Sequence, residues 1–379
     1  MHMRGVLFLL ALVSWPAAML AQTPTTRPRY EVVGYVFSRG HLLDGSRIAA
    51  TKMTRINDAF FRLKDGRIAA PGEMDAKNLA TLLNLRKQNP QLQVLISVGG
   101  GGAGSAGFSE LALSAEGRRR FVDSAVEMVE RYGLDGVDVD WEYPGYTHVK
   151  GMTVRPEDGA NYTLLLKELR QRFDGMEQRL GRPLVTSSAT GATQIWLDHT
   201  DMRAASQWLS AVNLMCYDWY NETEKNTGHD SPLRTSAADP KQISIDDAVR
   251  KNLAAGVPAR KIVVGVPFYG RRWEGVDPAN HGLWQPIHGA GSAVEFWQVA
   301  PLVNQQGFVR YWDGTAAAPY LYNATTHTFI TYNDAEADMV RTAYVKQLGL
   351  GGIMFWQYTG DPGNVLLDAI DAGFGMGGR

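Results

Sequence analysis

Leu134-Asp135-Gly136-Val137-Asp138-Val139-Asp140-Trp141-Glu142-Tyr143-Pro144 is the stretch from which the fold can be read. A strand projects side chains alternately, so Asp138, Asp140 and Glu142 share one face while Val137, Val139 and Trp141 share the other. Burying neighbouring carboxylates is costly, because desolvation and like-charge repulsion both raise their pKa values. The bland alternative is a solvated edge strand or a structural ion cluster. The Val/Val/Trp face instead suits a layer of helices, which turns the acids toward the interior of a barrel. Glu142 then stands at the C-terminal end of its strand, where barrel active sites are built.

Outward from this strand, short β-rich runs alternate with helical patterns, the order of βα units and a parallel sheet. Candidate strands are 32–37, 55–61, 93–98, 136–141, 184–189, 211–217, 262–267 and 352–356, which is the eight-strand barrel count. Helical stripes fall between them: Phe121, Ala125, Met128, Val129 and Tyr132; Leu166, Leu169, Phe173 and Met176; Ala337, Val340, Tyr344 and Leu348. Such stripes predict packing against the barrel. The spacing breaks once, where more than eighty residues rich in Trp, Tyr, Gly and Pro separate the last two strands. A bare connection is much shorter. The expected fold class is therefore α/β, a (β/α)8 TIM barrel with a small α+β insertion subdomain at 272–332, between strands 7 and 8.

The chain has 379 residues, 45% hydrophobic and 20% charged, with a formal net charge of −1. That balance offers no electrostatic footprint for nucleic acid. The N-terminus combines a positive start, an apolar run from Gly5 to Val13 and small residues up to Ala21. A secretory signal over residues 1–21 is expected, with the barrel occupying 22–379. Pro16 interrupts the apolar run too early for a membrane anchor. Cys216 is the only cysteine, so no intrachain disulfide can form. A secreted monomer, extracellular or periplasmic, is the expectation. Asn161, Asn221 and Asn323 begin Asn-x-Ser/Thr sequons.

Three acids facing one way imply acid chemistry. A general acid at Glu142 must keep its proton until a leaving group takes it, and Asp138 and Asp140 behind it would share charge to that end. An ordinary retaining glycosidase also needs a nucleophilic carboxylate across the scissile bond, about 5 Å from the acid. Asp140, on the same strand face as Glu142, is badly placed for it. Metal binding is the rival use of clustered acids, but there is no EF-hand loop and the eight histidines lack zinc-ligand spacing. No metal or cofactor is expected. Gly99, Gly101 and Gly104 formally match a dinucleotide fingerprint. They follow the third strand rather than the first, however, and the acid at the expected interval, Asp123, lies in a helical stripe.

The run from Asp135 to Glu142 resembles the Asp-x-x-Asp-x-Asp-x-Glu signature of family 18 glycoside hydrolases, the chitinase group. Ser97-Val98-Gly99-Gly100, Met215-Cys216-Tyr217-Asp218, Tyr269-Gly270-Arg271 and Gly352-Ile353-Met354-Phe355-Trp356 resemble its other landmarks, in order, over 32–363. The resemblance implies chitin or N-acetylglucosamine oligosaccharides as substrate and supplies the missing nucleophile, the substrate's own N-acetyl oxygen. It implies that Glu142 donates the proton, Asp140 turns toward Glu142 and holds the acetamide N–H, and Asp138 accepts shared charge. Tyr217 would bond the acetamide carbonyl, Asp218 would position substrate and Trp356 would floor the reactive sugar, with Tyr35, Phe60, Tyr269 and Arg271 as neighbours. Two departures stand out: Gly101-Gly102-Ala103-Gly104 where many relatives carry a tryptophan, and Cys216 at a position more often small or hydroxylated. The rival functions are a lectin that has kept the cleft, and an endo-β-N-acetylglucosaminidase acting on glycoprotein glycans. Lectins of this group typically replace the acid, whereas Glu142 is present.

Overall fold

The computed structural model describes residues 30–376. The segment read as a secretory signal lies outside them. Eight parallel strands close a barrel: β1 Glu31–Phe37, β2 Arg55–Phe61, β3 Gln93–Gly99, β4 Gly136–Asp140, β5 Val185–Gly191, β6 Ala211–Met215, β7 Ile262–Pro267 and β8 Gly352–Trp356. Each strand pairs with its sequence neighbour, and β8 lies between β7 and β1. All eight strand candidates are present, with ends shifted by at most two residues.

The two faces of β4 divide as their chemistry requires. Val137, Val139 and Trp141 enter the large core between barrel and helices, and Trp141 is sandwiched by Phe108 (stacked, 5.3 Å) and Tyr162 (edge-on, 6.2 Å). Burying one such side chain stabilises by roughly 1.5–3 kcal/mol. The interior holds a smaller apolar cluster of Val33, Tyr35, Ala59, Ala211, Val263 and Met354, roofed by Phe37, Phe60, Tyr217 and Trp356.

The helix Ala115–Tyr132 starts at Ser114, whose hydroxyl accepts from the Gly117 N–H, and stops at Gly133 in the left-handed conformation. It buries Phe121, Ala125, Met128 and Val129, and the helix Asp158–Leu180 buries Leu166, Leu169, Phe173 and Met176. The third stripe departs from expectation. In Ala335–Leu348, Ala337 and Tyr344 are buried, but Val340 is only partly so and Leu348 is exposed. Asp338 and Arg341 take the inward places as an ion pair, so apolar periodicity misjudged that face.

Between β7 and β8 stands a five-stranded antiparallel sheet of Gly291–Glu295, Tyr269–Trp273, Thr328–Thr331, Ala318–Asn323 and Phe308–Asp313, in that order. In chain order its first strand starts at Tyr269, separated from β7 by Phe268 alone, so Tyr269 and Arg271 belong to this sheet. Among the described residues no helix is long and apolar enough to cross a membrane. Asn161 and Asn323 are buried, which leaves Asn221 as the accessible sequon of the three.

Candidate active site

At the C-terminal mouth of the barrel lies a cleft of about 420 Å³. Asp140, Glu142, Tyr217, Asp218, Trp356, Tyr35 and Phe60 all line it. Asp138 lies one layer below, fully buried. Tyr269 and Arg271 join through Asp218, whose Oδ1 accepts from the Tyr269 hydroxyl (2.6 Å) and from the Arg271 guanidinium. All ten residues singled out in the sequence therefore converge on one place.

Strand register builds the acid row from below. Ser97 on β3 and Ser187 on β5 sit opposite Asp138 in the two flanking strands. Their hydroxyls donate to its carboxylate at 2.8 and 2.6 Å, joined by Tyr35 at 2.9 Å and the Asn213 amide at 3.2 Å. Burial pushes the Asp138 carboxyl up, and these donors, which favour the charged form, pull it back. Asp140 has no such set. Burial pushes its carboxyl well up, the charges of Glu142 and Asp138 push further, and it hydrogen-bonds Glu142. Glu142 is raised by burial, against hydrogen bonds from Asp140 and Tyr143. The Asp140–Glu142 pair thus holds a proton above the ordinary carboxylate range, as a general acid requires.

The glycine run serves close packing here. Gly99 and Gly100 both have positive φ (117° and 91°); a Cβ on Gly99 would lie 2.0 Å from the Asp140 carbonyl oxygen, and one on Gly100 would lie 2.6 Å from the Phe60 ring. The Gly100 N–H donates to the Asp140 carbonyl at 2.8 Å. The turn then brings round Ser105, whose hydroxyl accepts from the Glu142 N–H at 2.6 Å. At Gly101 a Cβ would lie 3.5 Å from Glu142 Oε2, so this side of the acid is left open.

The floor is aromatic. Trp356 stacks on Phe60 (5.3 Å, 20°) and Phe37 (5.9 Å, 28°) and tilts against Tyr35. Two polar groups at this floor lack good partners. The Tyr217 hydroxyl reaches only the Met354 sulfur at 3.9 Å, a weak acceptor. Asp140 Oδ1 is buried and accepts from no surrounding N–H or hydroxyl. Ser105, Ser187, Asn213 and Tyr143 were not singled out in the sequence; Tyr143 also stacks on Tyr146 at 4.8 Å along the cleft wall. Among the described residues no group of three or more His, Cys, Asp or Glu could hold a metal ion.

Comparison with known proteins agrees with this geometry. The profile described as "Glycosyl hydrolases family 18" matches residues 31–361. Chitinase A1 of Niallia circulans is 39% identical over 80% of this chain, and the chain spans 45% of that protein's length. Chitinase B of Serratia marcescens is 30% identical over 86% of this chain and 77% of its own. Among solved structures, a family 18 N-acetylglucosaminidase from Paenibacillus barengoltzii superposes with a TM-score of 0.84 at 41% identity, covering 91% of this chain and 99% of that one. Chitinase ChiA74 from Bacillus thuringiensis gives 0.85 at 31% identity, over 91% and 69%. Family match, barrel and acid row agree: the chain belongs to glycosyl hydrolase family 18 and is a glycoside hydrolase.

Proposed function

We propose that the chain hydrolyses β-1,4 linkages between N-acetylglucosamine units of chitin or its oligomers, with retention of configuration and the substrate's acetamido oxygen as nucleophile. The observation that carries this reading is the unfilled pair at the floor, the Tyr217 hydroxyl as donor and Asp140 Oδ1 as acceptor. An acetamide presents a carbonyl oxygen and an N–H, the complements of those two groups. Leaving either buried group unpaired costs about 1–3 kcal/mol, so a sugar lacking the acetamide is rejected.

In this mechanism the Trp356 face carries the reactive sugar, burying its C–H side without stripping its hydroxyls. Tyr217 and Asp140 orient the acetamide so that its oxygen meets the anomeric carbon. Glu142 gives its proton to the glycosidic oxygen as that bond breaks, then takes one from the water that opens the cyclised intermediate. Asp138, held by four donors that favour its charged form, lies beneath and takes up part of the charge change at Asp140. Asp218, anchored at Oδ1 by Tyr269 and Arg271, helps to position the substrate. Export directed by residues 1–21 completes the reading; its support is the charge and apolar pattern of that segment.

The test is hydrolysis of N-acetylglucosamine oligomers by the wild-type protein and by Glu142→Gln, with binding followed on the same samples. Cleavage that disappears in the variant while binding remains supports the reading. Binding without cleavage by the wild type would establish a lectin, and cleavage confined to glycoprotein glycans would establish the endo-glycosidase alternative.

A further inference from the structure

The cleft does not stop at Trp356. Beyond the indole, and sharing Trp356 and Asp218 with it, lies a second space of about 440 Å³ that runs out to Trp297, a tryptophan 51% exposed on the insertion subdomain. Arg39 and Glu295 line this outer space together, and they are ion-paired across 256 residues of sequence.

Topology fixes where this tie lies. Arg39 follows β1, and Glu295 ends a strand of the subdomain that follows β7. In the barrel β8 sits between β1 and β7. The ion pair therefore spans the C-terminal end of β8, just outside Trp356. Glu295 is the fixed partner: its backbone pairs with Tyr269, it takes part in a capping box with Gln298, and a Cβ on Gly360 would lie 2.8 Å from its Oε2. Its side chain is 21% exposed against 55% for Arg39, which makes Arg39 the movable half.

We propose that the Arg39–Glu295 pair is a low end-wall on the glycone side of the cleft, limiting how many sugar units extend beyond the one seated on Trp356. This rests on the functional reading above, which places the reactive sugar on Trp356 and the leaving group beside Glu142. A chain with two glycone units ends inside the wall. A third unit must displace Arg39 from Glu295 to reach Trp297. An exposed pair of this kind is worth up to about 1 kcal/mol, so the wall discriminates by about fivefold rather than absolutely.

The experiment uses p-nitrophenyl β-glycosides of one, two and three N-acetylglucosamine units, so that glycone length varies while the leaving group stays constant. In the wild type kcat/KM rises from one unit to two and gains little from the third. Arg39→Ala and Glu295→Gln each raise the three-unit to two-unit ratio about fivefold, as does added salt in the wild type. Arg39→Glu combined with Glu295→Arg rebuilds the pair with reversed charges and returns the ratio toward the wild-type value, which a fold defect would not do. A ratio unmoved by either single variant, or a wild type that gains as much from the third unit as from the second, overturns the proposal. A wild type that cleaves none of the three glycosides overturns the underlying functional reading instead.

Discussion

Two of the places where the protein buries carboxylates treat them in opposite ways. On the helix Ala335–Leu348, Asp338 is wholly enclosed beside Arg341, and Asn333 donates to it at 2.6 Å. Burial pushes its carboxyl up to about 7 while the guanidinium pulls it down. At the barrel mouth Asp140 is equally enclosed, yet its close neighbours are Glu142 and Asp138, and both raise its pKa further. One buried acid is given a counter-charge; the other is given more acid. The first arrangement pairs a buried charge on a helix, whereas the second, on the mechanism proposed above, keeps a proton ready at a cost to the fold.

Glu142→Gln sets the largest contrast. Loss of the proton donor is expected to lower kcat by 10³-fold or more, near the upper end of general-acid effects, with oligomer binding kept. Equilibrium unfolding in urea should show no loss of stability, since Gln removes a carboxyl whose pKa burial raises. Arg341→Met is the converse: it strands Asp338 as an unpaired buried acid and is expected to cost about 3–5 kcal/mol of stability. Measured on the folded fraction, kcat/KM should be unaltered; a fall in turnover as large as the fall in stability would erase the distinction between the two clusters.

Asp140→Asn should show both faces of the compromise. Turnover is expected to drop about 10²-fold, since the acetamide N–H exchanges a charged acceptor for a neutral amide oxygen and Glu142 loses the carboxyl that shares its proton. Stability moves the other way, and the sign follows from linkage. The native pair binds its proton more tightly than the unfolded chain does, so the penalty is absent below the unfolded carboxyl pKa and grows as pH rises toward the raised native value. The variant should melt above the wild type at pH 8, with the gap narrowing toward pH 4. By the same raised pKa, the alkaline limb of the wild-type kcat profile lies above the ordinary carboxyl range. The smallest effect belongs to Cys216, enclosed, with burial pushing its thiol up to about 12. It should resist a thiol reagent in the native state and react only on unfolding.

Much of this was legible along the chain, because β4 carries both halves of the message on alternate residues: Val137, Val139 and Trp141 mark the helix side, and Asp138, Asp140 and Glu142 the interior. The gap before β8 announced the inserted sheet for a similarly local reason, sheer length. What escaped depends on register between distant strands. Nothing about Ser187 or Asn213 is unusual within its own segment; each matters because the barrel sets it beside Asp138, 49 and 75 residues away in sequence. Ser105 and the Arg39–Glu295 tie escaped for the same reason. The helix near the C-terminus misled through the opposite fault: an apolar stripe through Leu348 looked sufficient, while the inward face was taken by Asp338 and Arg341, paired with each other three residues apart.

The loop from Gly99 to Gly104 carries a consequence for how this protein can drift. At Gly99 even alanine would drive a methyl group into the Asp140 backbone, at Gly100 into Phe60, and at Gly104 to within 2.5 Å of the Gly99 carbonyl oxygen. In a library of random single substitutions, these three positions would return almost nothing but inactive clones. Gly102, with nothing within 4 Å of its Cβ position, meets no such crowding, although its positive φ of 61° still disfavours most side chains. Gly101, facing Glu142 from 3.5 Å across open cleft, is where new side chains would be admitted, which makes it the natural entry point for altering what leaves with the proton.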